Sequence, residues 1–428
     1  MTAVRTMHQA QPKHVVIIGA GFAGLACAKT LATNRNLRIT VIDKNNYHQF
    51  QPLLYQVATG ILSTHNAAFN LRALLQRHDN IHVKMSEIVS VDLQRRRVTG
   101  RLGDVYDADY LVLAAGAEPH FFGVPGAEQF AFPLYSLDDA ESLRSEMIRL
   151  FERTELPGSD RARNLNIVIV GSGATGVETA GALADLMRKT PQHLFSEVQL
   201  RSISLTVIDH GSSPLRPFLP RSQAYAKKVL EQRGVQFHLG ESVQEVTASE
   251  VVLASGQRLP AQITIWAGGS KAARLSSALN IPLGAGGRID VQEDLSLSEH
   301  PGVYVLGDLA NSVGQDGKPL PQLGSVAKQA GEHCAQNILA TVAGRKQEPF
   351  HYVDKGIMAM VGQGAAITEI GKQRRPLYGM LAFTAWQLVH VALLPSFRIG
   401  FQASIEWAID FWGTLHLNAI VSRSSDRD

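Results

Sequence analysis

His14-Val-Val-Ile-Ile-Gly-Ala-Gly-Phe-Ala-Gly24 is the stretch that decides the fold. The apolar run from His14 to Ile18 predicts a buried parallel strand, and a helical stretch, Leu25 to Thr33, follows the glycines. In a Gly-x-Gly-x-x-Gly turn, the first glycine makes the tight turn, the second leaves room for a pyrophosphate, and the third lets helix and strand pack closely. The next predicted strand, Arg38 to Asp43, ends on an acid that can accept hydrogen bonds from ribose hydroxyls. Such a loop on its own would also fit an ordinary α/β turn.

The same order of elements recurs further along the chain. Asn166 to Val170 is a second buried-strand pattern, Gly171-Ser-Gly-Ala-Thr-Gly176 is a second glycine loop, and Leu205 to Asp209 ends on a second acid. The two loops begin 171 − 19 = 152 residues apart. A repeat of this length indicates two related domains rather than a solenoid. We therefore predict an α/β fold with two Rossmann-like dinucleotide-binding domains.

The composition excludes several classes of protein. Charged residues make up 18% of the 428 positions, which is too few for a disordered charged chain. Lys and Arg exceed Asp and Glu by only 41 − 38 = 3, so nothing argues for nucleic acid as a partner. Two cysteines exclude a disulfide scaffold and a multi-cysteine metal site, and we predict no metal.

The elements divide the chain into five predicted regions. Residues 1–12 form a polar leader without a secretory signal, which favours a cytoplasmic location. Residues 13–125 and 270–345 form the first dinucleotide domain, and residues 126–269 form the second. Residues 157–164 read as a linker within the second domain. Residues 346–428 differ in composition and hold three of the four tryptophans.

The C-terminal region is predicted to associate with a membrane. No charged residue occurs between Arg375 and Arg398, which leaves 22 uncharged positions, and Phe401, Ile405, Ala408 and Trp412 recur at helical spacing. A helix lying in the membrane interface fits this pattern. A dimer interface, a helical cap on the core and a helix spanning residues 376–397 are the alternatives.

Two dinucleotide sites in one chain indicate a flavin and a nicotinamide cofactor. Asp209 would repel the 2′-phosphate of NADPH, and no basic residue directly follows it. The second site is therefore predicted to prefer NADH.

Several motifs resemble type II NADH:quinone oxidoreductases. The resemblance is carried by Asp43-Lys-Asn-Asn-Tyr-His-Gln-Phe-Gln-Pro-Leu-Leu-Tyr-Gln-Val-Ala-Thr-Gly60 and by the second glycine loop with Val177-Glu178-Thr-Ala-Gly181. It extends to Tyr304-Val-Leu-Gly-Asp308, to Phe350-His-Tyr-Val-Asp-Lys-Gly356 and to the tryptophan-rich tail. The resemblance implies a peripheral flavoprotein at the cytoplasmic face of the cell membrane, and it admits a homodimer. It would pass a hydride from NADH to FAD and then electrons to a membrane quinone, without pumping protons.

The resemblance also implies the site residues. The FAD site would be formed by one set of residues: Gly19, Ala20, Gly21, Phe22, Ala23, Gly24, Asp43, Lys44, Ile88, Gly116, Asp308 and Gln329. The NADH site would be formed by a second set: Gly171, Gly173, Gly176, Glu178, Asp209 and Gly268.

Glu178 and Gln329 are the predicted catalytic residues. Glu178, placed in the first turn of the helix after the second loop, would reach the nicotinamide ribose or the space between nicotinamide and flavin; alternatively it only complements the helix dipole. Gln329 would contact the flavin edge or the quinone, or lie as an amide on a helix surface. Lys44 would meet the FAD ribose or phosphate, or alternatively be a solvated surface lysine. Cys27 and Cys334 are expected to be buried structural thiols.

Two other functions remain open. Ser325 occupies a position where the family often has a quinone-contacting glutamine, which admits a different acceptor, either a specialised quinone or a small redox protein. A non-catalytic flavoprotein that senses NADH is the alternative from another class.

Overall fold

A computed structural model describes residues 12–154, 165–189, 203–395 and 397–412. The predicted linker and all but one residue of the predicted leader lie outside these ranges. The α-helices of the described residues are α1 Phe22–Leu31, α2 Leu54–Ala58, α3 Leu71–Leu75, α4 Ala127–Phe130, α5 Leu137–Thr154, α6 Ala174–Lys189, α7 Pro220–Gln232, α8 Gly324–Val342, α9 Gly379–Leu393 and α10 Phe397–Trp412.

The strands of the described residues are mostly short. In chain order they are β1 Lys13–Ile18, β2 Leu37–Asp43, β3 Tyr47–Gln49, β4 Ala68–Asn70, β5 Ile81–Met85, β6 Ile88–Asp92, β7 Arg97–Gly100, β8 Val105–Asp107, β9 Tyr110–Leu113, β10 Ala117–Pro119, β11 Ala131–Pro133, β12 Asn166–Val170, β13 Ser204–Asp209, β14 Val235–Leu239, β15 Val243–Val246, β16 Glu250–Leu253, β17 Arg258–Pro260, β18 Ile263–Trp266, β19 Ser270–Ala272, β20 Ile289–Asp290, β21 Ser296–Leu297, β22 His300–Val305, β23 Ala310–Asn311, β24 Gly356–Gly362, β25 Ala365–Ile370 and β26 Arg375–Tyr378.

The first compact unit comprises Met1–His48, Phe69–Glu118 and Ser270–Val353. Its six-stranded sheet has the order β21-β22-β9-β1-β2-β5, and β1 pairs in parallel with both β2 and β9. Val15 and Ile17 pack on the side of α1 and α8, while Val16 and Ile18 pack on the opposite side. Burial on both faces explains why β1 is apolar throughout rather than alternating.

The second compact unit comprises Gln49–Ala68, Pro119–Gly269 and Asp354–Asp428. Its parallel sheet has the order β11-β18-β12-β13-β14, and β15, β16 and β17 form a small antiparallel sheet, as β6, β7 and β8 do in the first unit. The predicted α/β fold with two Rossmann-like domains is confirmed. The predicted domain boundaries stay a prediction.

The helices α9 and α10 form an antiparallel hairpin within the second unit. The ring centroids of Phe383 and Phe411 lie 6.0 Å apart, and those of Trp386 and Trp407 lie 5.6 Å apart. Because the partner numbers rise on one helix as they fall on the other, the two helices run in opposite directions. Across the described residues, the helices are all too short or too polar to cross a bilayer.

Candidate nucleotide-binding sites and a buried carboxyl group

The first glycine loop has the geometry of a phosphate-binding turn. Gly19 has a positive φ of 95°, and side chains at Gly19 and Gly24 would collide with backbone carbonyls. At Gly21, in contrast, an added Cβ would meet nothing within 4 Å. Helix α1 begins at Phe22, directly after Gly21, which forms no side-chain cap. The open space at Gly21 and the helix start beside it fit a pyrophosphate.

Asp43 ends β2 beside this loop. Its carboxylate accepts hydrogen bonds from the backbone N–H groups of Ala20 at 2.7 Å and Asn45 at 2.8 Å. Burial raises the pKa of Asp43, and these two N–H groups oppose that effect. Further hydroxyl donors would stabilise the ionised form, which is what a ribose diol would supply.

The other residues predicted for the first site belong to the same unit. Gly307, directly before Asp308, packs on Ala23, since an added Cβ would lie 3.3 Å from the Ala23 side chain. Asp308 follows the end of β22, and its backbone carbonyl accepts a hydrogen bond from the Gln322 side chain at 3.0 Å. Among the others, Gly116 has a positive φ of 72° with open space at its Cβ, Ile88 begins β6, and Lys44 is exposed.

Gln329 holds a neighbouring segment of backbone. Its amide donates to the Val353 carbonyl at 3.1 Å and accepts from the Val353 N–H at 3.0 Å. Ser325, one turn earlier on α8, shares a hydrogen bond of 3.0 Å with the Tyr352 hydroxyl. The sequence did not reveal this double attachment. The predicted contact of Gln329 with flavin or quinone stays a prediction.

The second glycine loop repeats the geometry of the first. Gly171 has a φ of 104°, and a Cβ at Gly173 would again meet nothing within 4 Å. Helix α6 begins at the next residue, Ala174. Gly268 lies against the Trp266 ring, since a Cβ added at Gly268 would be 3.2 Å from the nearest ring atoms. The two loops therefore share the spacing of their glycines and also the open space at the second glycine of each, Gly21 and Gly173.

Asp209 is more completely bonded than Asp43. It accepts hydrogen bonds from the Ser172 N–H at 2.6 Å, the Ser172 hydroxyl at 2.8 Å and the Gly211 N–H at 2.7 Å. Burial raises its pKa, but these donors outweigh burial, so the pKa of Asp209 lies below its ordinary value. Asp209 therefore carries a full negative charge beside the second glycine loop.

Glu178 is buried on α6, and its position corrects the sequence prediction. Because α6 begins at Ala174, Glu178 lies in the second turn of the helix rather than in the first. The helix dipole acts only weakly in the second turn. Its carboxyl group accepts a hydrogen bond from the Met360 N–H at 3.1 Å, and this N–H and the Trp386 side chain lower the pKa of the group. Burial dominates and raises the pKa of Glu178 to about 8. At neutral pH the group is therefore mostly protonated.

An aromatic cluster surrounds Trp386. The indole stacks on the His390 ring with centroids 3.7 Å apart, and the His390 Nδ1–H donates to the Trp386 carbonyl at 2.8 Å. Burial lowers the pKa of His390 to about 4, so the imidazole is neutral. In the sequence, only the tryptophan-rich tail gave a signal for this cluster.

The two cysteines meet inside the first unit. Cys27 on α1 and Cys334 on α8 are both buried, as predicted, and neither forms a disulfide. Burial, together with the Cys27 thiol, raises the pKa of Cys334. A buried protonated thiol is a poor nucleophile, which supports a structural role for Cys334.

Comparison with known proteins identifies the family. Residues 13–331 match the family model of pyridine nucleotide-disulphide oxidoreductases. The type II NADH:quinone oxidoreductase NdhA of Mycobacterium tuberculosis is 33% identical over 417 residues, which cover 93% of this chain and 87% of that protein. The type II NADH:quinone oxidoreductase of Staphylococcus aureus is 29% identical, over 82% of this chain and 88% of that protein.

Solved structures share the fold. The structure of NDH2 from Plasmodium falciparum in complex with NADH superposes with a TM-score of 0.87 at 18% identity, covering 95% of this chain and all of that one. The sulfide:quinone oxidoreductase of Aquifex aeolicus gives a TM-score of 0.72 at 17% identity, covering 96% and 93%. Together with the motifs and both nucleotide loops, these similarities show that the chain belongs to the type II NADH:quinone oxidoreductases.

Proposed function

We propose that this protein is an FAD-dependent NADH:quinone oxidoreductase that does not pump protons. The observation that carries the proposal is the presence of two phosphate-binding glycine loops of matching geometry, each followed by an acid-terminated strand, in a member of this family. Bound FAD supplies hydride acceptance and onward electron transfer. The protein binds and orients the two nucleotides and manages the accompanying proton.

The first unit holds FAD. Gly19, Gly21 and Gly24 with the start of α1 bind the pyrophosphate, and Asp43 binds the ribose of the adenosine part. The N–H groups at the start of α8 form a positive helix end, and Phe22 packs against Gly324 there. We assign smaller roles to the other members of the predicted set: Ala20, Ala23, Lys44, Ile88, Gly116, Asp308 and Gln329.

The second unit holds NADH. Gly171, Gly173 and Gly176 leave room for the pyrophosphate, Asp209 accepts the ribose hydroxyls, and Gly268 borders the pocket. The negative charge of Asp209 disfavours NADPH.

Glu178 supplies the proton in this proposal. Reduction of a quinone to a quinol by NADH consumes one proton besides the hydride. A buried carboxylic acid with a pKa of about 8 holds that proton at neutral pH. Activity should then be retained below about pH 8 and lost as the pH rises through that value, because the ionised group has no proton to give. Glu178→Gln should lower quinone reduction and remove this loss at high pH.

The hairpin of α9 and α10 attaches the protein peripherally to the cytoplasmic face of the cell membrane. Its outer surface exposes large apolar side chains, with Leu381 74%, Leu388 66% and Phe401 59% exposed, and Arg398 lies at its turn. Apolar side chains flanked by arginine suit the interface of a bilayer. A quinone dissolved in the lipid would be met at this surface. The competing interpretation is that this surface forms the interface of a homodimer.

Substitutions on the outer surface test membrane attachment better than truncation does. Removing residues after 375 would also remove Trp386, which is buried inside the second unit. The double variant Leu381→Glu/Leu388→Glu should lose sedimentation with lipid vesicles and turnover of lipid-soluble quinone, yet keep NADH-to-dye activity. Leu102→Glu is the matched control, since Leu102 is 94% exposed on the other unit. Unchanged vesicle binding together with a loss of dimer on gel filtration would favour the homodimer.

Flavin spectroscopy tests the core of the proposal. The purified protein should be yellow, NADH should bleach the flavin, and quinone should restore its absorbance. Bleaching without recovery by any quinone would favour another acceptor, and a stable reduced complex with slow turnover would favour the NADH sensor.

A further inference from the structure

The acid that ends β13 shares a small space with an arginine. A Cβ added at Gly211 would lie 3.0 Å from the Asp209 Oδ1 atom and 3.1 Å from the Arg216 Nε atom. The same Cβ would lie 3.0 Å from the Arg216 Cδ atom. Because position 211 is a glycine, this space stays open between the carboxylate and the guanidinium group. Two groups of opposite charge therefore border the place where the ribose hydroxyls of the second nucleotide are predicted to bind.

Backbone contacts fix the segment that carries Arg216. The preceding residue, Leu215, is fully buried and has a positive φ of 53°, a conformation that a bulky residue adopts only when its surroundings enforce it. Its N–H donates to the carbonyl of Ser172, inside the second glycine loop, at 2.9 Å. From α7, the Gln223 side chain donates to the carbonyl of Arg216 at 3.2 Å. The main chain at Arg216 is thus attached to the glycine loop itself.

The guanidinium group of Arg216 is available to a ligand. Arg216 is exposed, and in the parts of the chain that the structure describes its guanidinium group forms neither a hydrogen bond nor an ion pair. The Asp209 carboxylate, in contrast, already accepts two hydrogen bonds from Ser172 and one from Gly211. The His210 Nδ1 atom lies 3.5 Å from the Asp209 Oδ1 atom as well. The arginine therefore offers donors at this site, whereas the acid has only part of its acceptor capacity left.

NADPH differs from NADH only by a 2′-phosphate on the adenosine ribose. Asp209 repels that phosphate, whereas an arginine nearby accommodates it. The fork of guanidinium N–H groups matches phosphate oxygens in both geometry and charge. We propose that Arg216 determines nucleotide specificity at the second site: its guanidinium group binds the 2′-phosphate, so that the protein oxidises NADPH as a second substrate besides NADH. The inference rests on the proposed nucleotide site of the second unit.

Asp209 and Arg216 act on the 2′-phosphate in opposite directions. The acid keeps NADH the better substrate, and the arginine makes the discrimination against NADPH smaller than the acid alone would give. The hydride leaves from the nicotinamide ring, which is the same in both nucleotides. Arg216 therefore lowers KM for NADPH and leaves kcat unchanged, since its contact is made equally in the bound substrate and in the transition state.

Binding of nucleotide fragments separates the 2′-phosphate from hydride transfer. The probes are 5′-AMP and adenosine 2′,5′-bisphosphate, titrated by calorimetry into the flavin-loaded protein. Arg216→Gln should weaken binding of the bisphosphate about tenfold, because a charge-assisted hydrogen bond is lost, and should leave the affinity for 5′-AMP nearly unchanged. Arg216→Lys keeps the charge without the fork and should retain part of the affinity. Added salt should weaken bisphosphate binding more in the wild type than in Arg216→Gln.

Steady-state kinetics with a soluble dye as electron acceptor test the consequence for the substrate. Arg216→Gln should raise KM for NADPH about tenfold with little change in kcat, and kcat/KM for NADH should stay nearly the same. Arg77→Gln is the matched control, because it removes the same charge from an exposed position of the first unit. Equal weakening of both fragments in Arg216→Gln would show that the arginine holds the adenosine as a whole, and it would overturn the inference.

The possible failures are distinguishable. If neither fragment binds to the wild type and NADH does not bleach the flavin, both the proposed function and the inference are overturned. If NADH bleaches the flavin but the affinity for the bisphosphate is the same in the wild type, Arg216→Gln and Arg77→Gln, only the role of Arg216 is overturned.

Discussion

Glu178→Gln should make the stability of the protein less dependent on pH. In the folded protein, burial raises the pKa of Glu178 to about 8, whereas in the unfolded chain it takes its ordinary value of 4.5. Folding therefore favours the protonated form. The contribution of this group to stability is fully present below pH 4.5 and is lost as the pH rises through about 8. Glutamine has nearly the shape of the neutral acid and does not ionise.

The magnitude follows from the two pKa values. At about 1.4 kcal/mol per pH unit, the complete loss amounts to about 5 kcal/mol, and about 2.5 kcal/mol of it falls between about pH 6 and about pH 9. The carboxyl group is buried, and none of the causes that shift its pKa is a charged side chain, so solvent screens the effect little.

Thermal unfolding of the flavin-loaded protein at a series of pH values measures this effect. The wild type should lose about 2.5 kcal/mol more than Glu178→Gln across that interval, seen as a steeper fall of Tm. Glu250→Gln is the control, because the bond to Arg258 lowers the pKa of this surface glutamate and keeps it ionised throughout. Parallel Tm curves for the wild type and Glu178→Gln would refute the reasoning.

Three further substitutions test the nucleotide sites and the hairpin. Gly24→Val would drive a side chain into the Gly19 carbonyl, and the purified protein should lose its absorbance from bound FAD. Asp209→Asn removes the charge that repels a 2′-phosphate, and kcat/KM for NADPH relative to NADH should rise at least about tenfold; an unchanged ratio would contradict the assigned role. Glu406→Ala deletes both bonds to Ser63 and should cost about 2 kcal/mol, measured by chemical unfolding, with increased proteolysis of α10. Equal protease resistance would show that these bonds do not hold the helix.

Local patterns predicted the two nucleotide loops well. The glycines at 19 and 171 need positive φ, and the strands before them are buried on both faces, so spacing and apolar runs suffice. The acids at Asp43 and Asp209 follow from the same strand–loop–helix order. Each acid lies close in sequence to its loop, since Asp43 accepts from Ala20, 23 positions away, and Asp209 accepts from Ser172, 37 positions away.

The surroundings of Glu178 could not be predicted in the same way. The Met360 N–H that donates to its carboxyl group lies 182 residues away, and this pairing depends on how α6 and β24 pack. The same holds for the contact between Cys27 and Cys334 and for the attachment of Gln329 to Val353. The sequence supplied the residue types, but only the tertiary structure supplies burial, and burial sets the pKa of Glu178.

The strand order of the first unit constrains how the chain matures during synthesis. In its sheet, β22 adjoins β9, yet almost two hundred residues, including the whole parallel sheet of the second unit, are translated between them. Helix α8, which packs on α1, leaves the ribosome later still. The nascent chain can therefore complete its second nucleotide fold before the first one closes. Tight retention of flavin should begin only after residue 342 has emerged, which makes cofactor loading a late step of biogenesis.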